Sequence, residues 1–254
     1  MFSRAGTYTA VGLFSVTHII SIFVCFVLIA VAVVFTRKMS KQTYIKLLRI
    51  FAIVLTCLEL FKICWNLSVG YRNLDSWLPL YFCSIFIYSL WFATSKNEHI
   101  RSLGLGFIAI GAGVGGAVFI ISPSTSFSTY PIFHFQCLYS MLYHSTMVYS
   151  FIMLCVTKAY KVDIKAVRDY VCFCLIFMVL AIIVNSIDGC NMMFFRAPDG
   201  IPLPVLFSIY NFSHVLYTII MVLAHLSLGF IIWGICAIIR KIKRGVLTNR
   251  KDMV

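Results

Sequence analysis

The chain has 254 residues, of which 61% are hydrophobic and 11% charged, with a formal net charge of +13. Soluble domains carry roughly twice that share of charge, so a water-soluble core is excluded, and several apolar runs can cross a hydrocarbon layer of about 30 Å. The excess of positive charge would suit nucleic acid, but the basic residues lie in short clusters between apolar runs, which is a topology signal and leaves no nucleic-acid partner expected.

The pattern predicts an all-α polytopic membrane protein. It forms one seven-transmembrane-helix bundle over residues 1–254, with spans at about 14–36, 47–69, 77–95, 103–122, 131–157, 167–190 and 204–239. No small-residue cleavage site follows the first apolar run, so it is read as a helix and not as a signal peptide. Arg37, Lys38, Lys41, Lys46 and Arg49 follow the first span, Lys96 and Arg101 the third, and Lys158, Lys161, Lys165 and Arg168 the fifth. Arg240, Lys241, Lys243, Arg244, Arg250 and Lys251 fill the tail, whereas only Arg4, Arg72 and Arg196 fall in the alternate segments. This asymmetry predicts an outside N-terminus and a cytoplasmic C-terminus. The last predicted span exceeds what a membrane needs and is expected to protrude into the cytoplasm.

His18 opens the first span near its outer boundary. In the second, Glu59 and Lys62 are three apart and share a helical face. Charges inside a span usually face a bundle interior and pair, so these two either fix the helix or tune a site. The third span begins at Trp77-Leu78-Pro79, with Pro expected in the first helical turn. Cys83 is then expected about one turn below the boundary, where the helix dipole lowers a thiol pKa. Alone, it reads more readily as a packing cysteine. Gly111 and Gly115 of the fourth span are four apart and predict close helix approach.

The fifth span places His144 near mid-membrane, beside Tyr143 and on the same helix as His134, Gln136 and Tyr139. A buried histidine needs hydrogen-bond partners there. In the sixth span Asn185, Asp188 and Asn191 fall at three-residue steps and predict a polar stripe, with Gly189 ending the helix. The segment up to Pro204, containing Pro198 and Pro202, is read as an outer loop. In the seventh span Asn211, His214 and Tyr217 predict a second stripe, followed by His225. These polar residues concentrate between mid-membrane and the outer surface, which predicts a cavity open to the outer leaflet. The ten Cys show no CxxC and no zinc-like spacing with His, so no metal and no cofactor is expected.

Five pieces carry a family resemblance. They are FSVTH at 14–18, LELFKICW at 58–65, LPLYFCSI at 78–85, YHS at 143–145 and NSIDGCNMMFFRAP at 185–198. In this order they resemble the YwaF-type integral membrane proteins of bacteria, related to the animal transmembrane protein 164 family of phospholipid acyltransferases. The resemblance implies Cys83 as nucleophile and His144 as base. It departs at Tyr81, where the family often has His.

Two functions follow as expectations. The first is a lipid acyltransferase that moves an acyl group between membrane phospholipids and lysophospholipids through a Cys83 thioester. Asn185 or Asn191 would serve the oxyanion, and Glu59 and Lys62 would orient His144 or hold a headgroup phosphate. With water as acceptor the same residues would make a hydrolase. The second is a transporter or lipid-binding protein that uses the Glu59–Lys62 pair and the histidines, including His18 and His214. The expected location is a bacterial plasma membrane, with the endoplasmic reticulum as the alternative.

Overall fold

The computed structural model describes residues 1–251 apart from 200 and 202, with side chains to Ile242. Pro202 of the expected outer loop lies outside the described residues, as do the side chains of Lys243, Arg244, Arg250 and Lys251. The described residues form helices and no strands: α1 (Val16–Thr36), α2 (Lys41–Ser68), α3 (Phe86–Ala93), α4 (Glu98–Phe107), α5 (Gly113–Ile121), α6 (Phe135–Val156), α7 (Ile164–Asp188), α8 (Pro204–Phe212) and α9 (His214–Lys251). A π-helical turn, Ile108–Ala112, joins α4 and α5.

Four stretches are long and apolar enough to cross a membrane: Val16–Thr36, Glu98–Ile121, Ile164–Asp188 and His214–Ile242. The helices α2 and α6 have the length, at 28 and 22 residues, but are less apolar. They carry Glu59, Lys62 and His144, so the polar groups that lower their hydropathy are the ones a site would need.

Helix starts follow their caps. Ser15, Ser40, Asn97 and Asp163 accept hydrogen bonds from first-turn N–H groups of α1, α2, α4 and α7. The cap at Ser40 starts α2 six residues before the predicted 47 and lets the buried Tyr44 reach the Ser150 carbonyl at 2.7 Å. Gly189 ends α7 in the left-handed region, φ 74°, as expected.

Three further features differ from expectation. Regular helix in the third stretch starts at Phe86, not 77, and its eight residues rise only about 12 Å. The seventh stretch is broken at Ser213, whose extended backbone separates α8 from α9 and whose hydroxyl accepts from Leu216 N at 3.3 Å. The expected stripe of Asn211, His214 and Tyr217 therefore does not form: Asn211 is on the other helix and Tyr217 alone is buried. Finally, the tightest approaches to the backbone of other helices are at Gly104, Gly106 and Gly116; Gly111 meets Phe107 of its own stretch, and a Cβ on Gly115 would meet Cys83 and Met147 at an ordinary 3.4 Å. A Cβ on Gly104 would lie 2.3 Å from Ala93 N, and one on Gly116 2.7 Å from the His144 carbonyl oxygen.

The bundle has two distinct ends. At one, Thr36, Tyr44, Arg49 and Arg240 tie the ends of α1, α2, α3, α6 and α9 together through Tyr149, Ser150, Thr94 and Val162. At the other, Val11 and Gly12 bond to Tyr130 and Phe127, and Leu74 N to the Asp188 carboxylate. A cavity of about 820 Å³ opens at this second end.

Candidate functional site

The cavity is bounded by α2, the stretch before α3, α5, α6 and α9, with Met193 and Phe194 closing one side. Glu59, Lys62, Cys83, His144 and His225 all line it.

Cys83 is reached through backbone that is not helical. Residues 78–81 are irregular and 82–85 form a turn before α3 starts, with Ile85 N bonded back to Tyr81 O at 3.1 Å. Irregular backbone at such depth needs internal partners, and Tyr143 supplies them. Its hydroxyl lies 3.1 Å and 2.9 Å from the carbonyl oxygens of Cys83 and Ser84 and accepts from Ile87 N at 3.2 Å. The residue next to His144 thus fixes the backbone of Cys83. The Cys83 thiol donates to the Gly115 carbonyl at 3.8 Å. It is bonded to a carbonyl of α5 and not to a helix-terminal N–H, so the expected place in the first turn of a helix is corrected. Gly115 faces the thiol and Gly116 abuts the His144 carbonyl, so consecutive residues of α5 bring the two to one level.

His144 is 6% exposed, with its ring stacked on Phe119 at 3.5 Å between centroids and 5° between planes. Its Nδ1 lies 2.7 Å from the Ser140 carbonyl oxygen. A carbonyl only accepts, so Nδ1 carries the proton and Nε2 presents a lone pair. That Nε2 is buried and has no hydrogen-bond partner among the described residues. Cys83 and His144 share the cavity without a hydrogen bond between them.

Lys62 Nζ sits 2.6 Å from Glu59 Oε1, and Tyr139 donates to Glu59 Oε2 at 2.5 Å. Lys62 also approaches the Tyr139 ring at 5.7 Å. Oε1 faces the Lys62 ammonium and Oε2 accepts from Tyr139, and no hydrogen bond or ion pair joins the carboxylate to His144, so Glu59 does not orient that ring through one. Asn66 accepts from Gln136 Nε2 at 3.1 Å and donates to the Ser76 carbonyl, which joins α2, α6 and the 3₁₀ turn Leu74–Ser76.

The remaining expected residues lie elsewhere. Asn185 donates to Met192 O at 3.0 Å and accepts from Met192 N at 2.8 Å. Asn191, beyond the end of α7, accepts from Arg196 N and Ala197 N and donates to Ala197 O. Both amides are spent on their own loop, so neither is available to an oxyanion. Asp188 accepts from Leu74 N and from the Cys190 thiol, each at 2.9 Å. These residues shape the 189–197 loop, in which Met193 and Phe194 hold positive φ of 55° and 57°. Cys190 is buried there, and burial followed by the Asp188 contact pushes its thiol up to about 11.

His18 is fully buried and clasps the start of α1. Its Nδ1 accepts from Phe14 N at 2.8 Å, and Nε2 lies 3.4 Å from Ile120 O. His214 is exposed and stacks on Tyr210 at 4.2 Å, in a separate cleft of about 400 Å³ shared with Asn185 and Arg196. Sequence reasoning missed Tyr139 and Tyr143 as partners of the charged pair and of the Cys83 backbone. The four-residue steps from Gln136 and Ser140, and from Tyr139 to Tyr143, were the available signal.

No match to the chain is found among curated proteins or among solved structures. The model of the TMEM164 family matches residues 13–228 and so takes in every cavity residue named above. The chain is a member of the TMEM164 family.

Proposed function

We propose that the protein is an integral membrane lipid acyltransferase that moves a fatty acyl group between phospholipid and lysophospholipid through a thioester on Cys83. The observation that carries this reading is the buried, unpartnered Nε2 of His144 in the same cavity as the Cys83 thiol. A neutral imidazole with an open lone pair is a proton acceptor in waiting, and a thiol is the nucleophile that needs one. Rotation of Cys83 away from Gly115 hands its proton to His144 Nε2. The sulfur then attacks the ester carbonyl, and the imidazolium returns the proton to the departing lysolipid oxygen. Lys62 supplies a cation for the lipid phosphate, with Glu59 and Tyr139 holding it in place.

The topology we propose has seven crossings: α1, α2, residues 77–93, α4 with α5, α6, α7, and α8 with α9. The cavity end and the N-terminus face outside and the basic end faces the cytoplasm, which agrees with the separation of Arg4, Arg72 and Arg196 from the other basic residues. The membrane is a bacterial plasma membrane; in an endoplasmic reticulum membrane the cavity would face the lumen.

The test is acyl capture. Purified protein is incubated with phosphatidylethanolamine carrying a radiolabelled acyl chain, then resolved under denaturing conditions. Label that remains on the protein, is released by neutral hydroxylamine and is missing from Cys83→Ala supports the thioester. A folded Cys83→Ala that transfers label between lipids at the wild-type rate refutes it.

A further inference from the structure

Two histidines of the cavity share one arrangement. His144 and His225 each place Nδ1 2.7 Å from the carbonyl oxygen four residues earlier, Ser140 and Met221. Each therefore carries its proton on Nδ1 and leaves the Nε2 lone pair unused. Neither Nε2 bonds to a described protein atom. The two structural histidines at this end differ. His18 has backbone contacts at both nitrogens, with Phe14 and Ile120. His134 has the same with Gln136 and Ser3. An open nitrogen thus separates the two cavity rings from the two that serve as clasps.

The positions of the two are complementary. His144 stands on α6, packed under Phe119 and almost fully buried. His225 stands on α9, across Phe82, whose ring it meets at 5.2 Å, and beside Phe195 at 5.5 Å. Phe82 is the chain neighbour of Cys83, and both side chains lie 3.4 Å from the same point over Gly115. His225 is less buried than His144 and stands on a different wall of the cavity.

We infer that the acceptor lysolipid binds against the α9 wall with His225 as its general base, while His144 serves the donor lipid on the α6 wall, each histidine serving its own lipid in both directions. This rests on the thioester reading above. In the second step the acceptor lysolipid hydroxyl gives its proton to His225 Nε2. Its oxygen attacks the thioester carbonyl, the C–S bond breaks, and the proton passes from the imidazolium to the leaving Cys83 thiolate. The two steps together transfer one acyl group and leave both rings and the thiol as they began.

The experiment separates loading from discharge. His225→Asn and His144→Asn both keep an amide N–H where Nδ1 donates and remove the Nε2 lone pair. With radiolabelled phosphatidylethanolamine as donor, His225→Asn is expected to load Cys83 close to the wild-type rate. Discharge to lysophosphatidylglycerol is expected to fall by about 10²- to 10⁴-fold. Hydroxylamine, which needs no base at that position, discharges the mutant as fast as the wild type. His144→Asn is expected not to load. Added imidazole is expected to restore discharge in His225→Ala, an effect that a packing role would not produce. Normal discharge in His225→Asn, or loss of loading in both variants alike, overturns the inference while leaving the thioester intact. A wild-type protein that never loads defeats the thioester reading, and the second base falls with it.

Discussion

The two ends of the bundle are built from the same kinds of residue in opposite ways. At the basic end most of the polar groups named above are employed, although the buried Ser150 hydroxyl has no partner among the described residues. Tyr44, buried completely, donates to Ser150 O, Tyr149 to Thr36, and Arg240 to Val162 O. Helices there start on ordinary caps at Ser40, Asn97 and Asp163. At the cavity end the regular helices are interrupted. Residues 78–81 are irregular and 82–85 a turn, α8 and α9 part at Ser213, and Met193 and Phe194 sit in the left-handed region. An imidazole nitrogen is left bare inside. Strained backbone and unsatisfied buried polar atoms cost about 1–3 kcal/mol each and persist where the surroundings hold them or function needs them. The contrast lies in the backbone: the helix starts at the basic end are regular, whereas the cavity end is built around breaks at 78–85, at Ser213 and at Met193 and Phe194.

The sharpest break in that contrast is Glu59→Gln. Removing one partner of a buried ion pair costs about 3–5 kcal/mol, and the 21% exposure of the Lys62 side chain lowers that to about 2–3 here. Thermal unfolding in detergent should fall accordingly, while the Gln carbonyl oxygen can still accept from Tyr139. Under the acyltransferase reading, Cys83 of the surviving folded fraction should still capture label from a phospholipid, with weaker apparent affinity. A variant that stays fully stable would make the pair ornamental; one that stays folded yet blocks transmembrane uptake of a solute would favour the carrier.

Gly116→Val comes next. A Cβ there would stand 2.7 Å from the His144 carbonyl oxygen and 2.9 Å from Met147 Cβ, so α5 and α6 must separate. Overpacking of this kind costs about 1–3 kcal/mol. Because Gly115 is the acceptor for the Cys83 thiol, the same displacement should misplace Cys83 against His144 and lower acyl capture more than stability. The matching substitution for the other end is Ser40→Ala, which removes the α2 cap at a cost of about 1 kcal/mol. It should fray the first turn of α2 in hydrogen exchange and leave acyl capture unchanged.

These pairs also mark what the sequence made legible. The helical class and the positions of α1, α4 with α5, α6 and α7 were readable because apolar run length and capping residues act locally. Cys83, His144, Glu59 and Lys62 were readable as one set because of their residue types, and the structure puts all four on one cavity. The break before α3 was not readable. Leu-Pro-Leu at 78–80 is as acceptable at a helix start as in a turn, and what decides is Tyr143, more than fifty residues away, serving the carbonyls of Cys83 and Ser84. Asn185 and Asn191 were misjudged for a similar reason. Their three-residue steps from Asp188 imply a helical stripe, but Gly189 stops the helix between them, so the amides turn to the loop. His225 carried no signal in its spacing; its open Nε2 is a property of the tautomer fixed by Met221 O.

The loop offers a weaker test of the contrast. Asn185→Ala leaves both the N–H and the C=O of Met192 without a side-chain partner, a cost of about 1–3 kcal/mol. Its effect should be local. Hydrogen exchange at 189–197 should rise while α6 stays protected, and loading of Cys83 should persist because the amide takes no part in the chemistry. A loss of loading with an unchanged loop would return Asn185 to the oxyanion.

The smallest effect is expected at Cys190, and it depends on pH. Its thiol is raised from about 9 to about 11 by burial and by the Asp188 carboxylate that it bonds. A group whose pKa is higher in the folded state favours folding while it is protonated in both states, below about pH 9. As pH rises from about 9 towards 11 the unfolded thiol ionises first, so the folded loop loses ground. Local exchange at 188–195, followed from pH 7 to pH 11 and corrected for the intrinsic base-catalysed rate, should show opening over this window. Cys190→Ser should flatten it, since a serine hydroxyl does not titrate there and still donates to Asp188. Equal profiles in the two proteins would mean that the loop's stability comes from the Asn185 and Asn191 amides alone, and that the Cys190 proton contributes nothing to holding Met193 and Phe194 against the cavity.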